Sequence, residues 1–255
     1  MEQTNMMRSI AASETPPVKV EPLLTSYQPQ FDMDFVKRLL GLQKAGSLSR
    51  STRNRLEQMH DAVQQLLRPR VVWEVIPLAA IEKKHIKLSS GLHLKSSKMA
   101  KVMTGAVYMV CFVATVGKKI DERIYHLMEQ GKFANAYICD ALGSGAVEAI
   151  AERFHSDFNR NFLQETSVSA SGIRFSPGYC DWPVTEQQKL FSLVNADAIG
   201  VSLDKNSLMT PRKSISAIFG VYPEGNGLLK KNHNPCLYCF KKDCIARRSP
   251  AETAN

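Results

Sequence analysis

No stretch of this chain is apolar for long enough to cross a bilayer. The longest apolar run, Ala106 to Val116, falls well short of the roughly 20 residues that a helical span needs. The start, Met1-Glu2-Gln3-Thr4-Asn5, has neither the basic cluster nor the apolar core of a secretory signal, so a cytoplasmic location without a membrane partner is expected. Tryptophan is scarce, with two residues among an aromatic content of 8%. No basic cluster interleaves with aromatic residues, so a stacking groove for nucleic acid is not expected. The chain contains no glycine-rich phosphate loop, no internal repeat and no nucleophile elbow. Its six histidines sit in no recognisable catalytic setting, which argues against a nucleophilic hydrolase.

What is present suits a folded protein of one or two domains. The chain has 255 residues, 44% of them hydrophobic and 22% charged. The formal charge of +9 is spread over short basic pairs, such as Lys37-Arg38, Lys83-Lys84 and Lys118-Lys119, and reads as solvated faces. Such a surface is compatible with an acidic or phosphate-bearing partner.

Residues 1–30 contain Pro16, Pro17, Pro22 and Pro29 with little periodicity, and read as a flexible tail. Residues 31–103 read as a helical and mixed region. Helices are expected over 32–42 and 50–68, and a strand over Val71 to Ile76, with 77–103 left open. In the second helix Leu56, Met59, Val63, Leu66 and Leu67 share a face, and Pro69 ends it. Residues 104–229 read as the main domain. A strand over Ala106–Val116 precedes helices over 118–130 and 133–160. Ile120, Ile124, Leu127 and Met128 are expected to share one helical face. Gly143 and Gly145 inside the second helix each cost about 1 kcal/mol relative to Ala. They mark either a crossing of helices or the close approach of a ligand or another backbone.

Strands are expected over Val168–Phe175, over Ile199–Leu203 and over Ile215–Val221, where apolar residues alternate. Thr185 and Gln188 have capping-box spacing ahead of a short helix. Strands and helices do not alternate strictly. The fold class is therefore α+β, a mixed or antiparallel twisted sheet with flanking helices.

Between strand and short helix lies Arg174-Phe175-Ser176-Pro177-Gly178-Tyr179. Proline fixes one backbone angle and glycine permits positive φ, so this segment can turn sharply. An arginine offers a planar fork of donors that matches a carboxylate, and a tyrosine offers a flat face with a polar tip. The segment is either a ligand loop or a turn that ends a strand.

These residues resemble a known family. Gly172-Ile173-Arg174 through Tyr179, then Trp182-Pro183 and Gln188 to Phe191, are similar to the reactivation domain of cobalamin-dependent methionine synthase. The order continues in Gly200 to Leu203, Ser207-Leu208-Met209 with Pro211, and Lys213 to Ser216. Upstream, Ala141 to Glu152 resembles the helix ahead of the ligand loop. The resemblance spans about residues 104 to 223 and implies an α+β domain that binds S-adenosylmethionine and presents it to cobalamin. It implies that Arg174 meets the ligand carboxylate and Glu148 its amino or sulfonium charge. It also implies that Ser176, Pro177 and Gly178 bind the ligand through their backbone, and that Tyr179 lies at the interface of ligand and corrin. Tyr179 is the residue placed nearest the chemistry. The paired tyrosines of larger members are replaced here by Gly225-Asn226-Gly227-Leu228-Leu229. No cobalt-ligating Asp-x-His-x-x-Gly motif is found, so the cobalamin is expected on a separate methionine synthase or other corrinoid protein.

Residues 230–255 carry Cys236, Cys239 and Cys244 beside Lys241, Lys242, Arg247 and Arg248. Cysteines spaced this closely in a cytosolic chain read as metal ligands rather than disulfides. Basic neighbours favour thiolates. An iron–sulfur cluster or a zinc site fits, with Cys180, His233 or an outside molecule completing the set. Cys111 and Cys139 read as core residues.

Two functions follow. The chain is a reactivation module, a component of methionine synthase activity in which a cluster or an outside donor supplies an electron. Alternatively it is a non-enzymatic docking protein for a corrinoid methyltransferase, with structural zinc.

Overall fold

Alternating apolar residues build the centre of the molecule. The computed structural model describes residues 29–42, 49–165, 168–169 and 173–223. Strand β4 (Tyr108–Thr115) sends Val110, Phe112 and Ala114 to one face and Met109, Cys111 and Val113 to the other. A strand buried on both faces reads as a continuous apolar run, which is why its sequence shows no polar alternation. It pairs antiparallel with β1 (Arg70–Ile81) on one side and β8 (Ser214–Pro223) on the other. Strands β2 (His85–Leu88), β3 (His93–Lys95) and β5 (Val168–Ser169) complete an antiparallel sheet in the order β3-β2-β1-β4-β8-β5. A short hairpin, β6 (Ser202–Leu203) with β7 (Met209–Thr210), stands apart. The α+β class and the antiparallel sheet agree with the sequence reading.

Helices cover one face. These are α1 (Met33–Leu39), α2 (Arg50–Leu66), α4 (Lys119–Glu129) and α5 (Phe133–Glu165). Their apolar faces meet Phe112, Phe219 and Val221 in one core. The other face is covered by α3 (Ser97–Met103), α6 (Gln187–Phe191) and the irregular segment between Phe175 and Val201. The division placed at 103/104 falls between α3 and β4. Strands β1 to β3 from before it share one sheet with β4 and β8.

Several expectations are corrected. Residues 77–103, left open above, form the end of β1, then β2, β3 and α3. Pro77 is tolerated because β1 changes neighbours there: Pro77 is opposite Tyr108 of β4, and Leu78 begins the pairing with β2 through an irregular register. Of the strand expected over Val168–Phe175, the described residues form β5 and a single bridge from Phe175 to Ile218. Ile199 ends a 3-10 turn, and Gly200 follows at φ +73, so burial there comes from a turn rather than a strand. Thr185 and Gln188 make no capping box. The segment opens as a 3-10 turn without a side-chain cap, and Gln188 Nε2 donates instead to the Asp204 carbonyl at 2.9 Å. Met128 is half exposed and leaves the buried face of α4 to Ile120 and Leu127.

The two helix glycines mark crossings with side chains. A Cβ at Gly145 would lie 2.7 Å from Val36 Cγ2 on α1, and one at Gly143 would lie 2.8 Å from Ile120 Cγ2 on α4. Val36 is fully buried and β-branched, so it has little room to yield. Gly145→Ala therefore loses more from overpacking, typically about 1–3 kcal/mol, than the roughly 1 kcal/mol it gains in helix propensity. Urea denaturation is expected to show a net loss of stability of about 1 kcal/mol.

Candidate functional site

Arg174 leaves the sheet just before Phe175. The Phe175 N–H donates to the Ile218 carbonyl and the Ile218 N–H donates back, both at 2.8 Å, so the backbone at this point is fixed to β8. The Arg174 side chain then runs to α5. Its Nη1 donates to the Ala151 carbonyl at 3.3 Å and to Glu152 Oε2 at 2.9 Å, while Nη2 stands 3.8 Å from Glu148 Oε2. The side chain is only 12% exposed, but both glutamates reach solvent. Arg174 and Glu148, which the family resemblance implies for opposite ends of one ligand, are thus neighbours across 26 positions of chain.

Glu152 was not singled out from the sequence, although its place one helical turn after Glu148 puts both carboxylates on the same strip of α5. His155 continues that strip. Its ring packs on Phe219 with centroids 4.5 Å apart. Burial holds its pKa down to about 4, and the nearby Arg174 charge lowers it further against the pull of Glu152. The folded-state value lies below that of a free histidine. The unfolded chain therefore binds the extra proton between about pH 6.5 and 4, and stability falls as pH drops through that window. Replacing His155 with Gln is expected to flatten this part of the stability profile, measured by urea denaturation across the range.

The turn after Phe175 has the shape its Pro-Gly pair requires. Gly178 has φ +90, a conformation that side-chain-bearing residues rarely adopt. Its N–H donates to the Trp182 carbonyl at 2.8 Å, and the Tyr179 N–H donates to the Ser176 carbonyl at 3.2 Å. Pro177 is buried, Ser176 is half-buried, and Tyr179 stands 57% exposed at the tip. Trp182 is buried in the second core and holds the turn down.

Asp181 accepts hydrogen bonds from Ser96 Oγ and from the backbone N–H groups of Ser97 and Lys98. Burial disfavours its charge, but these bonds outweigh it and hold the carboxyl below its ordinary range.

The cysteines divide. Cys111 and Cys139 are buried as expected, and burial raises both thiols, Cys139 to about 11. Cys180 is exposed in the turn, with φ +57. Cys236, Cys239, Cys244 and His233 lie outside the described residues. Among the described residues no group of three or more His, Cys, Asp and Glu side chains is placed to hold a metal ion. No helix among them is long and apolar enough to cross a membrane.

Chemically, the site is one guanidinium flanked by two carboxylates, next to a turn with an exposed aromatic. It complements a small ligand that carries a carboxylate together with positive charge.

Comparison with known proteins bears on the family and the fold. A family model described as the vitamin B12 dependent methionine synthase activation domain matches residues 82–227, a range that includes Glu148, Arg174 and Tyr179. A crystal structure of the MetH reactivation domain bound to AdoHcy shares the fold. Its TM-score is 0.55 at 18% sequence identity, covering 83% of this chain and 88% of that one.

Proposed function

This chain belongs to the vitamin B12 dependent methionine synthase activation domain family, and on that premise we propose that it binds S-adenosylmethionine and supports reductive methylation of a cobalamin carried by a partner protein. The observation that supports this most is the meeting of Arg174 with Glu148 and Glu152 beside the Ser176–Tyr179 turn. S-adenosylmethionine has one carboxylate and two cationic centres, its ammonium and its sulfonium. The site offers the inverse pattern, one cation and two carboxylates.

The charge pattern suggests how the ligand would sit. Both Nη1 hydrogens of Arg174 are engaged by Ala151 and Glu152, which fixes the plane of the guanidinium. Among the described residues Nη2 has the longer Glu148 contact alone, so that side of the fork is the one a ligand carboxylate would take. Glu148 and Glu152 would then lie near the ligand's positive groups. Backbone groups of Ser176, Pro177 and Gly178 would line its other side, and Tyr179 would offer a flat face between ligand and corrin.

When bound, S-adenosylmethionine would supply an electrophilic methyl group to a cobalamin reduced by one electron, and would leave as S-adenosylhomocysteine. The chain's own contribution is to bind and orient the ligand, a matter of proximity rather than of acid–base chemistry. The partner is a cobalamin-carrying methionine synthase or another corrinoid protein. The electron would come from an outside donor, directly or relayed through a cluster on Cys236, Cys239 and Cys244. Iron, zinc and acid-labile sulfide analysis of anaerobically purified protein separates a cluster from zinc and from bare thiols.

The functional test mixes this chain with a cobalamin-loaded methionine synthase fragment that lacks its own activation domain, a low-potential reductant and methyl-labelled S-adenosylmethionine. Label is expected on the cobalamin only when the chain is present. Equal labelling without it contradicts the proposal.

A further inference from the structure

The turn that carries Tyr179 is fixed at both ends, and one carboxylate makes the polar contacts at its downstream end. Upstream, the Phe175 bridge ties it to β8. Downstream, Asp181 reaches the start of α3. It accepts from Ser96 Oγ, from the Ser97 N–H at 2.8 Å and from the Lys98 N–H at 3.2 Å. Ser96 is buried and also caps α3 through the Met99 N–H at 3.0 Å. Asp181 thereby joins the turn to two of the first N–H groups of a helix some 84 residues earlier in the chain.

Between the two anchors the backbone is unusual. Gly178 has φ +90 and Cys180 has φ +57. A side-chain-bearing residue in the left-handed region costs about 1–2 kcal/mol, and persists only where its surroundings impose it. Within the turn itself three backbone hydrogen bonds help: Gly178 to Trp182, Tyr179 to Ser176 and Trp182 to Tyr179. All three lie between residues 176 and 182 and shape the segment locally. Asp181 and the buried Trp182 tie its downstream end to the rest of the protein.

We propose that Asp181 is a positioning residue for ligand binding: its carboxylate on the α3 N-terminus holds Ser176–Tyr179 in the shape that receives the ligand. The inference rests on the S-adenosylmethionine reading above and deepens it. Asp181 does not touch the ligand. It acts by keeping the turn in its competent shape, because apparent affinity scales with the fraction of molecules whose site is formed. The neighbouring contacts confine the effect. The Lys95 N–H donates to Glu186 Oε2 at 3.2 Å, and Lys189 Nζ donates to the His93 carbonyl at 2.8 Å. They hold the following helix on the same β3–α3 corner, so removing Asp181 loosens the turn and spares the domain.

The test compares wild type, Asp181→Ala and Asp181→Asn by calorimetry with S-adenosylmethionine and by amide hydrogen exchange. Asp181→Ala is expected to bind about 5- to 20-fold more weakly, in proportion to the loss of competent turn. Its Gly178 and Trp182 amides are expected to exchange faster, with β4 and β8 unchanged. Asp181→Asn keeps an acceptor oxygen and is expected to fall between the two. It also serves as the readout if the alanine variant does not fold. Faster exchange in the turn with unchanged affinity would overturn the proposal. Equal loosening of β4 and β8 would overturn it too, by showing a general structural contact. A well-folded wild type that binds no S-adenosylmethionine would instead sink the underlying reading.

Discussion

Arg174→Ala is expected to bind S-adenosylmethionine about 30-fold or more weakly than the wild type while remaining folded. Hydrogen bonds to charged groups contribute about 1.5–3 kcal/mol, and 2 kcal/mol corresponds to roughly 30-fold in affinity. The loss is sharpened by what remains. Glu148 and Glu152 lie one turn apart on α5, and without the guanidinium they face a ligand carboxylate with like charge. Arg174→Lys is expected to recover little, because an ammonium cannot reproduce the planar fork that Ala151 and Glu152 hold in place. The same variant has a second readout. Arg174 contributes to the depressed pKa of His155, so in Arg174→Ala that pKa rises from about 4 toward the ordinary value. NMR titration of the His155 ring follows this without any ligand. A pKa unchanged in the variant would show that burial alone sets it.

Phe219→Ala is expected to cost about 3–5 kcal/mol of folding stability, the usual range for a large aromatic removed from a packed core. Phe219 is fully buried on β8. Its ring lies 5.2 Å from Phe158, 6.1 Å from Phe112, 6.3 Å from Phe154 and 4.5 Å from His155, centroid to centroid. The cavity would open at the junction of β8 with α5, directly under the strip that carries Glu152 and His155. For a chain of this size the loss corresponds to a fall in Tm of about 6–20 °C. Ligand affinity should fall with it, because the packing that orients α5 against β8 is removed. Tyr125→Ala, on the exposed side of α4, is the matched control and should change stability by less than about 0.5 kcal/mol. Equal effects of the two substitutions would contradict the placement of the core.

The central strands were legible because their burial is regular. Ile215, Ala217, Phe219 and Val221 alternate, and β8 carries that alternation through the sheet. The long α5 was legible for the same reason at a helical period. Short elements were not. Ile199, Val201 and Leu203 alternate equally well, but three positions cannot separate a strand from a turn that buries its apolar residues. Arg174 was legible from its place in a Pro-Gly turn, Glu148 came from resemblance to a family, and the fold brings them together. Glu152 carried a signal in its spacing from Glu148 that went unused. Asp181 carried none. Its partners, Ser96, Ser97 and Lys98, are distant in the chain, and no local pattern announces a carboxylate that caps a helix from another part of the fold.

The most direct test of the account is a calorimetric titration of the wild-type protein with S-adenosylmethionine, with circular dichroism to show that the sample is folded. The account predicts saturable binding of one ligand per chain, lost in Arg174→Ala. A folded wild type that shows no binding at millimolar ligand would contradict the assignment of Arg174, Glu148 and the Ser176–Tyr179 turn as a ligand site.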